Sequence, residues 1–404
     1  MAYPGKPGLI GHTVRDMKRC HLAYLACTTA LVGATLGTTP AAAAHKTLVV
    51  HPGQSIQKAV NSARAGDTVL VMAGTYHESV TIKTSWVTLH GAGGKTVIKP
   101  APAKAGSKTP AKTGSKTGSK ADSKAGSKAG RKSAPKAAPT CAGSGNGICV
   151  IGTKTKNVEG VTVSDLTVTG FSRAGVFGMA TDTMTVRRVN AVKNAVWGIA
   201  QERSVHGIIQ SNYARDNGDA GLFLANTITE EAGAYDAGET LVEHNRLENN
   251  RIGLTVRRLR NLTVAENTVG GNCTGVFVVG DENKPKAGDL TVISNLVNAN
   301  NKSCPKTARL PRLQGSGIVV TGTEKVRVTG NVVTENSGTS PLSGGIVLLK
   351  SFVGVTTEKS RVDDNWLAGN SPADLVNTET GKGAGKGNVF EGNGCRTSKP
   401  AGLC

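Results

Sequence analysis

Side chains able to move a proton or hold a cation recur in clusters along the second half of the sequence. Glu202, Arg203 and His206 come first, then Glu230, Glu231, Asp236 and Glu239, then Arg257, Arg258 and Arg260, and then Asp281 and Glu282. Each cluster follows a short G-[IVL]-x-[VL] run, so charge returns to one local position. A basic group beside carboxylates can act as a general base, and grouped carboxylates can take a divalent cation. Mixed charge is also what an ordinary solvated turn carries, and that reading stands beside the chemical one. Two residues past the glycine of each run the sequence reads Phe177, Ala200, Phe223, Thr255, Phe277, Val319 and Val347. The phenylalanines are either a platform for a sugar chain or packing beneath long turns. Asp216 and Asp219 read as bend residues rather than as a calcium turn.

The element that positions these groups is a repeat. Its pattern, V-x-x-N-x-φ-x-x-N followed by G-[IVL]-x-[VL] with φ apolar, is complete at Val242, Asn245, Leu247, Asn250, Gly253, Leu254 and Val256. It is complete again at Val264, Asn267, Val269, Asn272, Gly275, Val276 and Val278. The first Asn column continues through Asn212, Asn295, Asn331, Asn365 and Asn388, with Leu166 and Val189 in the earliest units. The second runs Asn194, Asn217, Asn250, Asn272, Asn300, Asn336, Asn370 and Asn393. The unit is about 22 residues, lengthened by insertions in some turns. Apolar residues alternate in short strands, and Asn and Gly mark the bends because both tolerate left-handed backbone. One unit cannot bury its apolar face alone. Stacked at about 4.8 Å per coil, successive units make parallel sheets around a Val, Ile and Leu core, with Asn side chains bonding up the stack.

With these motifs the chain resembles the right-handed parallel β-helix repeat family, the pectin-lyase-like superfamily that includes NosD-like periplasmic proteins of copper-site maturation. The resemblance covers most of Leu48 to Phe390. Pro52 to Val60 reads as a short capping helix at the N-terminal end, followed by an opening coil at Gly66–Val71 and Gly74–Glu78. The implied class is all-β, a single-stranded right-handed parallel β-helix. The resemblance further implies uronide lyase chemistry as one option. Arg257 or Arg258 would then be the base, His206 a further catalytic candidate, and Glu230, Glu231, Asp281 and Glu282 ligands for Ca²⁺. Phe177, Phe223, Phe277 and Arg203 would contact substrate. The DPHD-type signature of epimerases and the paired-Asp pattern of polygalacturonases are missing from the sequence. The NosD-like likeness implies a copper option, for which His45 would be the new N-terminal residue after processing, but His51, His77, His90, His206 and His244 are dispersed.

Composition bounds the rest. Of a formal charge of +20, half lies between Lys99 and Thr140, where lysine recurs every fourth residue from Lys104 to Lys136. That tract has no core-forming residue and reads as a disordered insertion between residues 45–98, the cap and first coils, and residues 141–404, the remaining coils and C-terminal cap. It is either an inert tether or an adhesive for anionic wall polymer. Lacking aromatic residues, it offers no sequence-specific nucleic-acid readout. Residues 1–44 carry the basic, apolar and Ala-x-Ala order of a signal peptide, with Met17 as an alternative start, and no membrane span is expected after cleavage. Removing Cys20 and Cys27 leaves six cysteines, whose proximity favours Cys141–Cys149, Cys273–Cys304 and Cys395–Cys404. These features point to a secreted, extracellular or wall-associated protein that binds polysaccharide without catalysis. A lyase or hydrolase acting on acidic polysaccharide is the alternative, and a copper-site accessory protein a second one.

Overall fold

Short alternating runs of β-branched residues cannot each form a stable hairpin, but they can pair with the equivalent run one repeat later. In the computed structural model, which describes residues 45–102 and 140–404, they do so throughout. Residues 1–44, expected to be a signal peptide, and residues 103–139 of the lysine tract lie outside the described residues. Each circuit of the chain lays down three short strands, building stacked sheets of 12, 10 and 11 strands. Neighbouring strands are parallel and pair like with like: Val242 opposite Val264, Val264 opposite Val292, and Val292 opposite Val328. The alternation sends these valines inward, where they meet Leu247, Val269 and Val297 of the second sheet and Leu254, Val276 and Ile318 of the third. Burying each such side chain stabilises the fold by about 1.5–3 kcal/mol.

The corners depend on asparagine in a way that differs from the expectation. The left-handed residue is the one before each Asn: Ser211, His244, Glu266 and Ser294 have φ of 55°, 53°, 53° and 54°. The Asn itself stabilises that corner. Asn267 Oδ1 accepts from the backbone N–H and the amide of Asn245, at 3.0 and 2.9 Å. Its own amide donates to Val242 O at 3.0 Å and to Asn295 Oδ1 at 2.9 Å. Buried carbonyls and N–H groups exposed by the bend are thereby satisfied. The last coil corrects the column register. Asn365 bonds to Asn393, not Asn388, whereas the second column ends with Asn370 donating to Asp374. Asn388 instead receives the Ser360 N–H.

The glycine before each third-sheet strand is required by close approach. A Cβ on Gly275 would lie 2.6 Å from Gly317 O, and one on Gly253 would lie 2.7 Å from Gly275 O. At the N-terminal end a helix, Ile56–Ser62, packs its Ile56 and Val60 into the core. Ser55 caps it through Lys58 N, and the Glu78 carboxylate accepts from the N–H groups of Ile56 and Gln57. Disulfides join Cys141 to Cys149, Cys273 to Cys304 and Cys395 to Cys404.

Candidate functional site

The outward face of the third sheet is not bare. Its strands Trp197–Glu202, Ala220–Ala225, Ile252–Arg257 and Thr274–Val279 turn Trp197, Ala200, Phe223, Ile252 and Phe277 outward into a second apolar cluster. Longer-than-average repeats supply its cover. Between Asn212 and Asn245 the spacing is 33 residues, and between Asn295 and Asn331 it is 36. The extra residues form loops around positions 226–234, 280–287, 301–314 and 350–356. These loops leave between them a groove of about 790 Å³, with Phe223, Ile252, Thr255 and Phe277 among its lining residues.

Several expected site residues meet here. Arg257, Arg258, Glu231, Asp281 and Glu282 line the groove together with Phe223 and Phe277. Arg257 ends its strand half-buried, and its guanidinium has one long hydrogen bond, 3.4 Å to Thr227 O. Burial and the nearby charges of Arg258 and Arg309 push its pKa below the ordinary arginine value. Arg309 is exposed on the loop facing it.

Arg258, unlike Arg257, is engaged by carboxylates. Its side chain is only 4% exposed, and its guanidinium pairs with both Glu231 and Asp281 while donating to Glu230 O at 3.0 Å. It therefore ties the 226–234 loop to the 280–287 loop. Those two loops also touch directly, Ala234 N donating to Pro285 O at 2.7 Å. The same pairing occupies two of the four residues suggested for Ca²⁺. Glu230 points away towards Lys154, 3.8 Å distant, and Glu282 stands exposed at the rim. Among the described residues no group of three or more His, Cys, Asp or Glu side chains is arranged to hold a metal ion, whether calcium or copper.

The remaining candidates lie elsewhere. His206 is exposed on a turn entering the first sheet, its Nδ1 2.7 Å from Asp182 Oδ1. Arg203 is half-buried one coil before the groove. Phe177, beneath the Arg173 guanidinium, is buried in the outward cluster before the groove begins. The three phenylalanines are each at most 8% exposed, so Phe223 and Phe277 form a covered floor.

Three lining groups were not anticipated. Asp219 is a bend residue, as expected, and it also lines the groove. Its Oδ2 accepts from Trp197 Nε1 at 3.2 Å, and Arg251 Nε lies 3.9 Å from Oδ1. Burial raises the Asp219 pKa despite those two neighbours, and burial likewise lowers that of Arg251. Phe352 and Val353, in the 350–356 loop, present more than half their surface to solvent while lining the groove. The signal for them was the Ser351-Phe352-Val353-Gly354 segment, which is apolar yet belongs to no repeat strand.

The chain has measurable likeness to known proteins at this level of structure. Residues 228–370 match the family described as right handed beta helix region. No curated protein matches the sequence. DFA-IIIase from Arthrobacter chlorophenolicus A6, in complex with GF2, is 12% identical over 86% of this chain and 84% of that one, with a TM-score of 0.55. ORF18 of Geobacillus virus E2 is 15% identical over 84% of this chain, with a TM-score of 0.52. The chain spans 56% of the length of that viral protein. The continuous parallel sheets and in-register core columns give this chain the right-handed parallel β-helix fold, and residues 228–370 match the family model of that name.

Proposed function

We propose that the protein is an extracellular, saccharide-binding β-helix protein that takes a polysaccharide segment into the groove over its third sheet. The observation that carries this reading is the combination inside one groove of an apolar floor, an exposed aromatic ring at Phe352 and a guanidinium, Arg257, without a carboxylate partner. Sugar rings present apolar C–H faces that pack on aromatic side chains, while a planar guanidinium suits a carboxylate or a pair of oxygens. The cysteine pairs support an oxidising, extracellular setting. No helix among the described residues is long and apolar enough to cross a membrane.

Titration calorimetry against acidic and neutral polysaccharides tests the proposal. Phe352→Ala and Arg257→Ala should each weaken binding by roughly tenfold, corresponding to loss of an interface anchor. Absence of binding to every polymer, or binding that survives both substitutions, would overturn it. The burial-lowered pKa of Arg257 favours a second reading, a lyase in which this residue takes the proton next to a uronide carboxylate. Appearance of unsaturated uronide absorbance with the native protein, lost by about a hundredfold or more in Arg257→Ala, would establish that reading over simple binding.

A further inference from the structure

We infer that the Trp197 end of the groove is a hydroxyl-recognising subsite in which Asp219 Oδ1 accepts a hydrogen bond from a sugar hydroxyl and Trp197 holds the carboxylate in place. This deepens the saccharide reading and rests on it. Asp219 precedes the strand Ala220–Ala225, at the sheet edge opposite Arg257. A six-residue strand separates the two edges by roughly 20 Å, so the subsite is distinct from the Arg257 end.

The carboxylate is prepared on one side and free on the other. Oδ2 is occupied by the indole N–H. That indole is itself fixed, stacked on Phe223 at 4.7 Å between ring centres with the Arg173 guanidinium 5.2 Å from its centre. Trp197 is therefore a positioning residue, with neighbours against its ring system. Oδ1 accepts no hydrogen bond from any described residue, and 39% of the Asp219 side chain remains open to solvent. That oxygen is therefore open to a donor entering from the groove.

Arg251 gives the second, independent sign. It is more than nine-tenths buried and lines the same groove, yet only Nη1 has a partner, Pro305 O at 2.7 Å. Nε and Nη2 have none. A buried guanidinium short of acceptors is costly, and an oxygen-rich ligand seated on Asp219 would bring acceptors to its neighbourhood. A ring hydroxyl can donate to Asp219 Oδ1 and accept from an arginine N–H, so one group answers both needs.

The charged group nearest Asp219 is Arg251 from the following coil; Arg173 lies across the Trp197 ring, and Arg257, Arg258, Arg309, Glu231, Asp281 and Glu282 line the rest of the groove. The groove's other carboxylates also titrate, and the Asp219→Asn comparison separates their contribution from that of Asp219. Burial raises the Asp219 pKa, so its acceptor oxygen is lost earlier in acid than that of an ordinary aspartate. Binding should weaken as the pH falls through that raised value.

The test uses the mature protein with three probes, oligogalacturonate, oligomannuronate and fructo-oligosaccharide, following the one that binds most tightly. Asp219→Asn keeps the shape and should weaken binding about tenfold at neutral pH. It should also remove most of the weakening that native protein shows between neutral and mildly acidic pH. Trp197→Phe keeps the ring stack while removing the N–H, and should weaken binding by about threefold or more. Melting curves establish that each variant is folded, and either one suffices. Native binding with unchanged affinity in the folded variants would overturn this subsite and leave the groove reading intact. Failure of all three probes to bind native protein would overturn both.

Discussion

Replacing Asn295 with alanine should destabilise the protein by about 4 kcal/mol, more than the loss of most single core methylenes. Asn295 is interior to the first ladder. Its Oδ1 accepts from Asn267 N at 3.0 Å and Asn267 Nδ2 at 2.9 Å, and its amide donates to Val264 O and Ile293 O, each at 3.0 Å, and to Asn331 Oδ1 at 2.9 Å. Alanine strands the Asn267 N–H and the Val264 carbonyl away from water, at about 1–3 kcal/mol each, and opens a small void besides. Asn393 provides the control because it ends the ladder half-buried, where water replaces much of what is lost. Asn393→Ala should cost about 1 kcal/mol. Urea unfolding followed by circular dichroism checks the pair. Equal midpoints for the two variants would mean that the ladder is not a principal source of stability.

Arg258→Ala should cost about 3 kcal/mol, whereas Arg257→Ala, one residue away, should change stability by less than about 0.5 kcal/mol. The contrast comes from burial and partners. Arg258 is 4% exposed and Asp281 only 16%, so removing the guanidinium leaves a largely enclosed carboxylate without its partner. The Glu231 arm contributes less, since 69% of that side chain faces water. Arg258→Lys should recover only part of the loss because an ammonium cannot reach two carboxylates and Glu230 O in the same planar fork. Limited proteolysis should show new cleavage within residues 226–234 or 280–287 in Arg258→Ala alone. Matching unfolding curves and cleavage patterns for the two alanine variants would refute the clamp.

These two residues show where sequence spacing stops being informative. Arg257 and Arg258 are adjacent and chemically identical, and both follow the same strand. Both line the groove, but Arg258, at a left-handed corner with φ 54°, is tied between two loops by Glu231 and Asp281 while Arg257 has no carboxylate partner among the described residues. Their spacing did not reveal that Glu231 and Asp281 pair with Arg258 and not with Arg257. Asp219 does sit in a bend, but its place in the groove was not legible for a related reason. Asp216-Asn217-Gly218-Asp219 has the composition of a bend, and Asp216 does occupy one with φ 57°. Only the neighbouring coil, 22 residues before it, supplies the Trp197 N–H that makes Asp219 part of a site.

Taken by itself, the sequence determined the solenoid. Parallel in-register stacking repeats the same residue at the same place on successive coils, so Val264 under Val242 and Asn267 beside Asn245 are local periodicities written out in space. The positions of the insertions were equally legible as breaks in the Asn spacing, and nearest-neighbour cysteines matched the three bridges. What only the tertiary structure decided is which insertions enclose the groove and which charges stay unpaired within it. The loops lack the repeat, so nothing in their spacing ties Glu231 to Asp281 through Arg258 or brings Phe352 over the sheet that holds Phe277. Those contacts join the loops of different coils, and they form because a bare apolar sheet face must be covered by whatever chain lies nearest.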